Sequence, residues 1–340
     1  MSRLVDISYL QAVVIGLLQG VTELFPISSL GHSVLVPAWI GGSWEHLVTE
    51  NSAKDSGDSP YLAFIVALHV ATALALLAFF WRDWVRIIGA LFDTLRTRRI
   101  ATSTERLAWL LVIATIPVGL TGIALEHTFR TLFAKPLAAS IFLTVNGLIL
   151  FGAERLRKRA EAVPVAAESV PVEHTQEREL VGAVSGASGL HAEAPSPALP
   201  GAAAASPRAG SRRLDALGYG EAAVIGFFQT FALFAGISRS GVSMAAGLLR
   251  GLSHEDAAKF SFLLATPVIF AAGVLKLPSL AGPAGAHIHG QVVTGFLVAG
   301  LAAYLSVRFL TRYFTTRTLT PFAYYCLIAG GISTVWFAAS

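Results

Sequence analysis

The sequence predicts an all-α polytopic membrane protein: an inverted-topology repeat with six transmembrane helices plus two re-entrant helical hairpins. Three observations carry this. Of the 340 residues, 54% are hydrophobic and 14% charged, against about 25% charged in a soluble domain, and mean hydropathy is +0.64. Six apolar runs (61–81, 107–125, 137–153, 260–275, 290–307 and 318–339) reach or approach the length that crosses a bilayer. Finally, the chain repeats itself. Set without gaps, 9–31 and 219–241 agree at Tyr9, Ala12, Val14, Ile15, Gly16, Gln19, Ile27, Ser28 and Gly31. Such agreement exceeds the roughly two or three matches expected by chance at this composition.

The first repeat spans 1–153. Residues 1–8 are a short polar lead without a signal-peptide cleavage pattern, and the first apolar run is expected to be retained. From 9 to 40 an apolar run is interrupted at Pro26–Gly31; its length suits a re-entrant hairpin, since broken backbone at membrane depth must be buried or line a cavity. Loop 41–60 is acidic. Span 61–81 leads to Arg82, Arg86, Arg96, Arg98, Arg99 and Arg106, which the positive-inside rule makes cytoplasmic. Span 107–125 leaves and 137–153 returns to Arg155, Arg157, Lys158 and Arg159.

Residues 154–213, with six prolines and no apolar periodicity, predict a disordered cytoplasmic linker. The second repeat, 214–340, follows with a hairpin at 219–250 and spans at 260–275, 290–307 and 318–339. Its basic residues (Arg250, then Arg308, Arg312 and Arg317) orient it opposite to the first. The net charge of +4 sits at span ends, so the pattern gives no reason to expect nucleic acid. Cys326 is the sole cysteine and rules out an intramolecular disulfide.

Inverted repeats place their site where broken helices meet. Gln19 and Glu23 are one turn apart on one face. In the second repeat Leu233 replaces the carboxylate and Arg239 supplies a guanidinium. Ser28 and Ser29, and Ser238 and Ser240, are N-cap candidates, so two helix N-termini would converge on an anion with Arg239 between them. Glu23 suits three roles: metal ligand, general base, or structural partner of Arg239. With Gln19 it would hold a hard cation, Mg²⁺ or Ca²⁺. Ser29 is a candidate nucleophile with Glu23 or His32 as its base, and His32 a nucleophile, a proton carrier or a core histidine. His69, in mid-span, either lines the cavity or, the favoured reading, is a packed and satisfied side chain, and the loop histidines receive no role.

Gln-Gly-Val-Thr-Glu-Leu-Phe-Pro-Ile-Ser-Ser-Leu-Gly-His at 19–32 resembles the first signature of the BacA-type undecaprenyl-diphosphate phosphatases. Ala-Gly-Ile-Ser-Arg-Ser-Gly-Val-Ser at 235–243 is similar to their second, with Ala235 for a proline and Ser243 for a threonine. The resemblance implies hydrolysis of undecaprenyl diphosphate to the monophosphate, recycling of the lipid carrier for cell-wall synthesis, and bacitracin resistance. It also implies a bacterial plasma-membrane location with the site open to the outer face. By motif, Gln19 and Glu23 would serve the metal and activate water or a nucleophile, while Ser29 and His32 would react or move protons. Ser238, Arg239, Ser240 and Ser243 would hold the diphosphate, and Ser28, first of all a helix cap, is a further substrate-binding candidate. Expected partners are a polyprenyl diphosphate, the bilayer and a second copy of the chain. The competing functions are a transporter or flippase for a lipid phosphate or small anion, whose architecture is the same, and a scaffold.

Overall fold

The computed structural model describes residues 7–45, 47, 60–133, 135–162, 214–280 and 288–339. In the first half, α1 (Tyr9–Thr22) and α2 (Ser29–Ile40) form the hairpin. They are followed by α3 (Pro60–Phe79), α4 (Trp81–Thr97), α5 (Ser103–Phe133) and α6 (Pro136–Ala162). In the second half, α7 (Tyr219–Phe228) passes through a 3₁₀ turn, Gln229–Leu233, to α8 (Arg239–Leu249). Then come α9 (His254–Leu280), α10 (His289–Tyr313) and α11 (Thr320–Ala339). Among the described residues, five helices are long and apolar enough to cross a membrane, and six if α3 with α4 counts as one bent span.

Small residues let the halves interlock. The hairpin helix α1 packs along α10, and α7 packs along α5, so each repeat lays its first helix on a span of the other. The seams are glycine-lined. A Cβ on Gly16 would stand 2.7 Å from Gly295 O, and one on Gly226, the repeat equivalent of Gly16, would collide with Ala114 O. Close backbone approach of this kind drives helix association where lipid removes the hydrophobic incentive. α3 packs on α9 and α6 on α11, which pairs the corresponding spans of the two repeats. At one end of the bundle Glu154, buried, accepts hydrogen bonds from His254 Nε2 (2.6 Å) and the Leu319 N–H (2.7 Å), tying α6 to the starts of α9 and α11.

Three expectations need correction. The span expected at 61–81 ends at Phe79, and the chain turns by 84° into α4; the basic segment after it is a second helix with one apolar side. The linker expected at 154–213 begins late, because α6 continues to Ala162; its arginines and glutamates sustain helix through i,i+4 pairs such as Arg157–Glu161 (2.9 Å). The apolar run after Tyr9 stops being helical at Thr22, so Glu23 is a C-cap residue. The rest of the expected linker, 163–213, most of the acidic loop within 41–60, and residues 281–287 lie outside the described residues.

Candidate active site

Each hairpin breaks for a local reason, and the two breaks touch. Pro26 lacks an N–H to continue α1, and Ser28 restarts the helix: its Oγ accepts the Gly31 N–H at 3.2 Å. Ser238, the same position of the second repeat, caps α8 identically, accepting the Gly241 N–H at 3.1 Å. Ser28 sits at φ +70°, a conformation costly for a side-chain-bearing residue, and its Oγ takes a second hydrogen bond from the Gly236 N–H at 3.2 Å across the interface. Gly236 itself has φ +112°, and a Cβ there would meet Ala139 O. Ser240 Oγ (3.2 Å) and Ser238 Oγ (3.4 Å) point at Phe25 O of the first break. Asn146 of α6 joins both: its Nδ2 donates to Pro26 O and its Oδ1 accepts the Ser238 N–H, each at 3.0 Å.

Glu23 stands beside this junction, 7% exposed. Its Oε2 accepts hydrogen bonds from Gln19 Nε2 (3.1 Å) and from Ser29 Oγ. Its Oε1 lies 3.9 Å from Arg239 Nη2. So the carboxylate of the first repeat and the guanidinium of the second share one pocket. Ser29 and Arg239, the first residues of α2 and α8, occupy equivalent repeat positions and both address Glu23.

Two buried atoms at this centre, Gln19 Oε1 and Arg239 Nη1, have no hydrogen-bond partner among the described residues. Leaving such groups unpaired costs roughly 1–3 kcal/mol each, which marks a place for a ligand that offers a positive centre to one and anionic oxygens to the other. Gln229, the repeat counterpart of Gln19, is also buried with both amide atoms unpartnered; Leu233 stands where its carboxylate partner would be.

His69 is satisfied and also reaches the site, the alternative the sequence left open: Nε2 lies 3.4 Å from Glu23 Oε2. Its Nδ1 is 2.9 Å from Ile65 O, a carbonyl that only accepts, so Nδ1 carries a hydrogen. Attraction between Nε2 and Oε2 therefore requires one proton between His69 and Glu23.

His32 faces elsewhere. Its Nδ1 donates to Ser28 O at 2.7 Å, while Nε2 is 2.7 Å from the Tyr325 hydroxyl of α11, whose ring stacks on the imidazole with centroids 5.7 Å apart. With both ring nitrogens occupied, the base that Ser29 contacts is Glu23. Ser243 is buried one turn beyond Arg239 on α8. His69, Tyr325 and Asn146 belong to the site's framework and lie outside both motifs. The one available signal was that each is a polar group within an apolar span.

Among the described residues no three or more His, Cys, Asp or Glu side chains group as a metal centre. Glu23 with the unpartnered Gln19 Oε1 is an oxygen-only, weakly anionic pair, which fits a hard cation that takes most of its ligands from substrate and water.

Fold and site together define a polytopic all-α membrane protein with a buried carboxylate–hydroxyl–guanidinium cluster where two broken helices meet. The chain belongs to the BacA family: the family described as "Bacitracin resistance protein BacA" matches residues 12–332. It is 62% identical to "Undecaprenyl-diphosphatase 2" of Frankia alni, over 98% of this chain and 99% of that protein. It is 54% identical to "Undecaprenyl-diphosphatase" of Mycolicibacterium paratuberculosis, over 98% of each.

Proposed function

We propose that this chain is an undecaprenyl-diphosphate phosphatase of the bacterial plasma membrane, releasing inorganic phosphate and returning undecaprenyl phosphate to cell-wall synthesis, with bacitracin resistance as a consequence. The observation that carries the reading is the meeting at Glu23 of the Ser29 hydroxyl and the Arg239 guanidinium. Arg239 binds phosphate oxygens bidentately through the nitrogens that Glu23 leaves free. The capped N-termini of α2 and α8 add their positive ends.

In the reaction, Ser29 Oγ attacks the terminal phosphorus, its proton passes to Glu23, and undecaprenyl phosphate departs. Glu23 hands that proton to the departing undecaprenyl phosphate and is again a base; water then attacks the phosphoserine, its proton passing through Glu23 to the released Ser29 oxygen as phosphate is freed. His69 positions Glu23 through the contact of its Nε2 with Oε2 (3.4 Å). Gln19 Oε1 and Glu23 would hold Mg²⁺ or Ca²⁺, which when bound neutralises charge on the phosphoryl group. Ser238 and Ser240 line the second break, where their hydroxyls would exchange protein partners for diphosphate oxygens, and Ser243 would add a hydroxyl one turn along α8. The charge pattern inverts the second repeat relative to the first, and the site would open to the outer face, as the family resemblance implies.

The test is phosphate release from undecaprenyl diphosphate by purified protein in detergent. Arg239→Ala and Glu23→Ala are each expected to lower turnover by at least about 10²–10³, the effect of removing one preorganised charge-stabilising group. Thermal unfolding should show that both variants remain folded. Near-normal turnover in either would remove the assigned roles, and absence of phosphate release by the parent protein would favour a carrier.

A further inference from the structure

α4 carries more than the fold asks of it. It leaves α3 at an 84° turn around Phe80. One side, Ile87, Ala90 and Thr94, is buried, and the helix packs on α5. A different side presents Trp81, Val85, Ile88, Phe92 and Leu95, which are 48% to 67% exposed. Their spacing of four, three, four and three residues makes one continuous stripe along the helix. A stripe of this length facing water would be an association hazard. In a chain already held by membrane spans, perpendicular to one of them, it faces the boundary of the acyl chains.

The charges beside the stripe are of one dominant sign. Arg82, Arg86 and Arg96 are exposed on α4, and Arg98 and Arg99 on the turn that closes it. Arg98 adopts φ +53° as the C-cap, which redirects the chain within the basic cluster. Arg82 stacks over Trp81 with 5.3 Å to the ring centroid. Of the two acids on the helix, Asp83 is paired with Lys259 at 3.2 Å, leaving Asp93 against five guanidinium groups.

Next to the cluster a recess of about 430 Å³ opens between 100–103 and Ala216, with Arg106 on its wall. The N–H groups of Ala101 and Thr102 at the start of α5 are already bound by the Glu105 carboxylate, at 2.6 and 3.0 Å. Arg106, the arginine that lines the recess, donates through Nε and Nη2 to Leu217 O (3.3 and 2.9 Å), so headgroup contacts fall to the exposed arginines of α4 and its closing turn.

We propose that α4 lies in the headgroup plane of the leaflet that the positive-inside rule makes cytoplasmic, and selectively binds anionic phospholipids such as phosphatidylglycerol. The apolar stripe sets its depth, and the arginines choose the headgroup. The partner is a lipid surface, and the binding is independent of catalysis, so its failure would leave the phosphatase reading untouched.

The experiment uses the full chain in vesicles of mixed phosphatidylcholine and phosphatidylglycerol, extracted gently and weighed intact by native mass spectrometry. Phosphatidylglycerol should be enriched several-fold among retained lipids, and raising salt should erase the enrichment. Replacing Arg82, Arg86, Arg96, Arg98 and Arg99 with Gln should lower it by roughly fivefold or more. Because that variant could insert wrongly, a second measurement uses quenching by lipids brominated on their acyl chains. The parent protein should show a quenched component that Trp81→Phe lacks. Equal retention of the two lipids by the parent protein, enrichment that survives the five replacements, or a Trp81 that the brominated chains do not quench would each overturn the proposal.

Discussion

Glu23 gathers side chains from four elements: Gln19 of α1, Ser29 of α2, His69 of α3 and Arg239 of α8. Such a carboxylate is oriented before substrate arrives, and its neighbours divide into those that touch phosphate and those that aim the ones that do. One step further out, where His32 donates through Nδ1 to Ser28 O at the turn that presents Ser29, stands Tyr325. Its hydroxyl donates to or accepts from His32 Nε2 at 2.7 Å, so it accommodates the imidazole in either protonation state. Tyr325→Phe keeps the ring stack and removes that partner; kcat should fall by about tenfold, one hydrogen bond's worth, with KM unchanged. His69→Gln should retain more turnover than His69→Leu, because a glutamine N–H still reaches Glu23. If phosphate-release kinetics show no difference between the two, His69 merely fills space. The sequence displayed Gln19, Glu23, Ser29 and Arg239 because polar residues inside apolar runs stand out and the repeat aligns them. It offered His69 only as a weak cavity-lining candidate and concealed Tyr325 and Asn146, because nothing along the chain places positions 69, 146 and 325 beside residues 23–32. That adjacency exists only in the packed bundle.

At the scale of elements, glycine decides which helices lie together. Gly226 is in van der Waals reach of the α5 backbone, whereas Gly152 on α6 has nothing within 4 Å of a would-be Cβ. Gly226→Ala must separate α7 from α5, and overpacking of this kind costs about 1–3 kcal/mol; Gly152→Ala should be neutral or slightly stabilising through helix propensity. Thermal unfolding in detergent separates the two, and an equal response would mean that the α5–α7 seam yields without cost. The spans themselves were legible, since length and apolarity suffice to define them. The elbow at Phe80 was less so: 61–97 reads as unbroken helix former, and only the change from uniformly apolar to one-sided patterning at Trp81 marks where the chain leaves the hydrocarbon.

For the whole molecule, the interlock of repeats and the division of the site have one consequence that neither half shows alone. The first half contributes Gln19, Glu23, Ser29 and His69 but lacks the guanidinium. The second contributes Arg239 but has Leu233 where the carboxylate would be. Each half also buries its hairpin helix against the other's span, α1 on α10 and α7 on α5. Cutting the chain between the end of α6 at Ala162 and the 3₁₀ turn that begins at Leu214 severs none of these contacts. Residues 1–162 and 214–340 expressed together should therefore assemble and release phosphate from undecaprenyl diphosphate, while each expressed alone should be inactive. Pairing a Glu23→Ala first half with an unmodified second half should give a complex that co-purifies and does not turn over. If the two pieces fail to co-purify, the stretch between them does more than connect; activity in a single half would mean that Glu23 and Arg239 do not have to share a pocket.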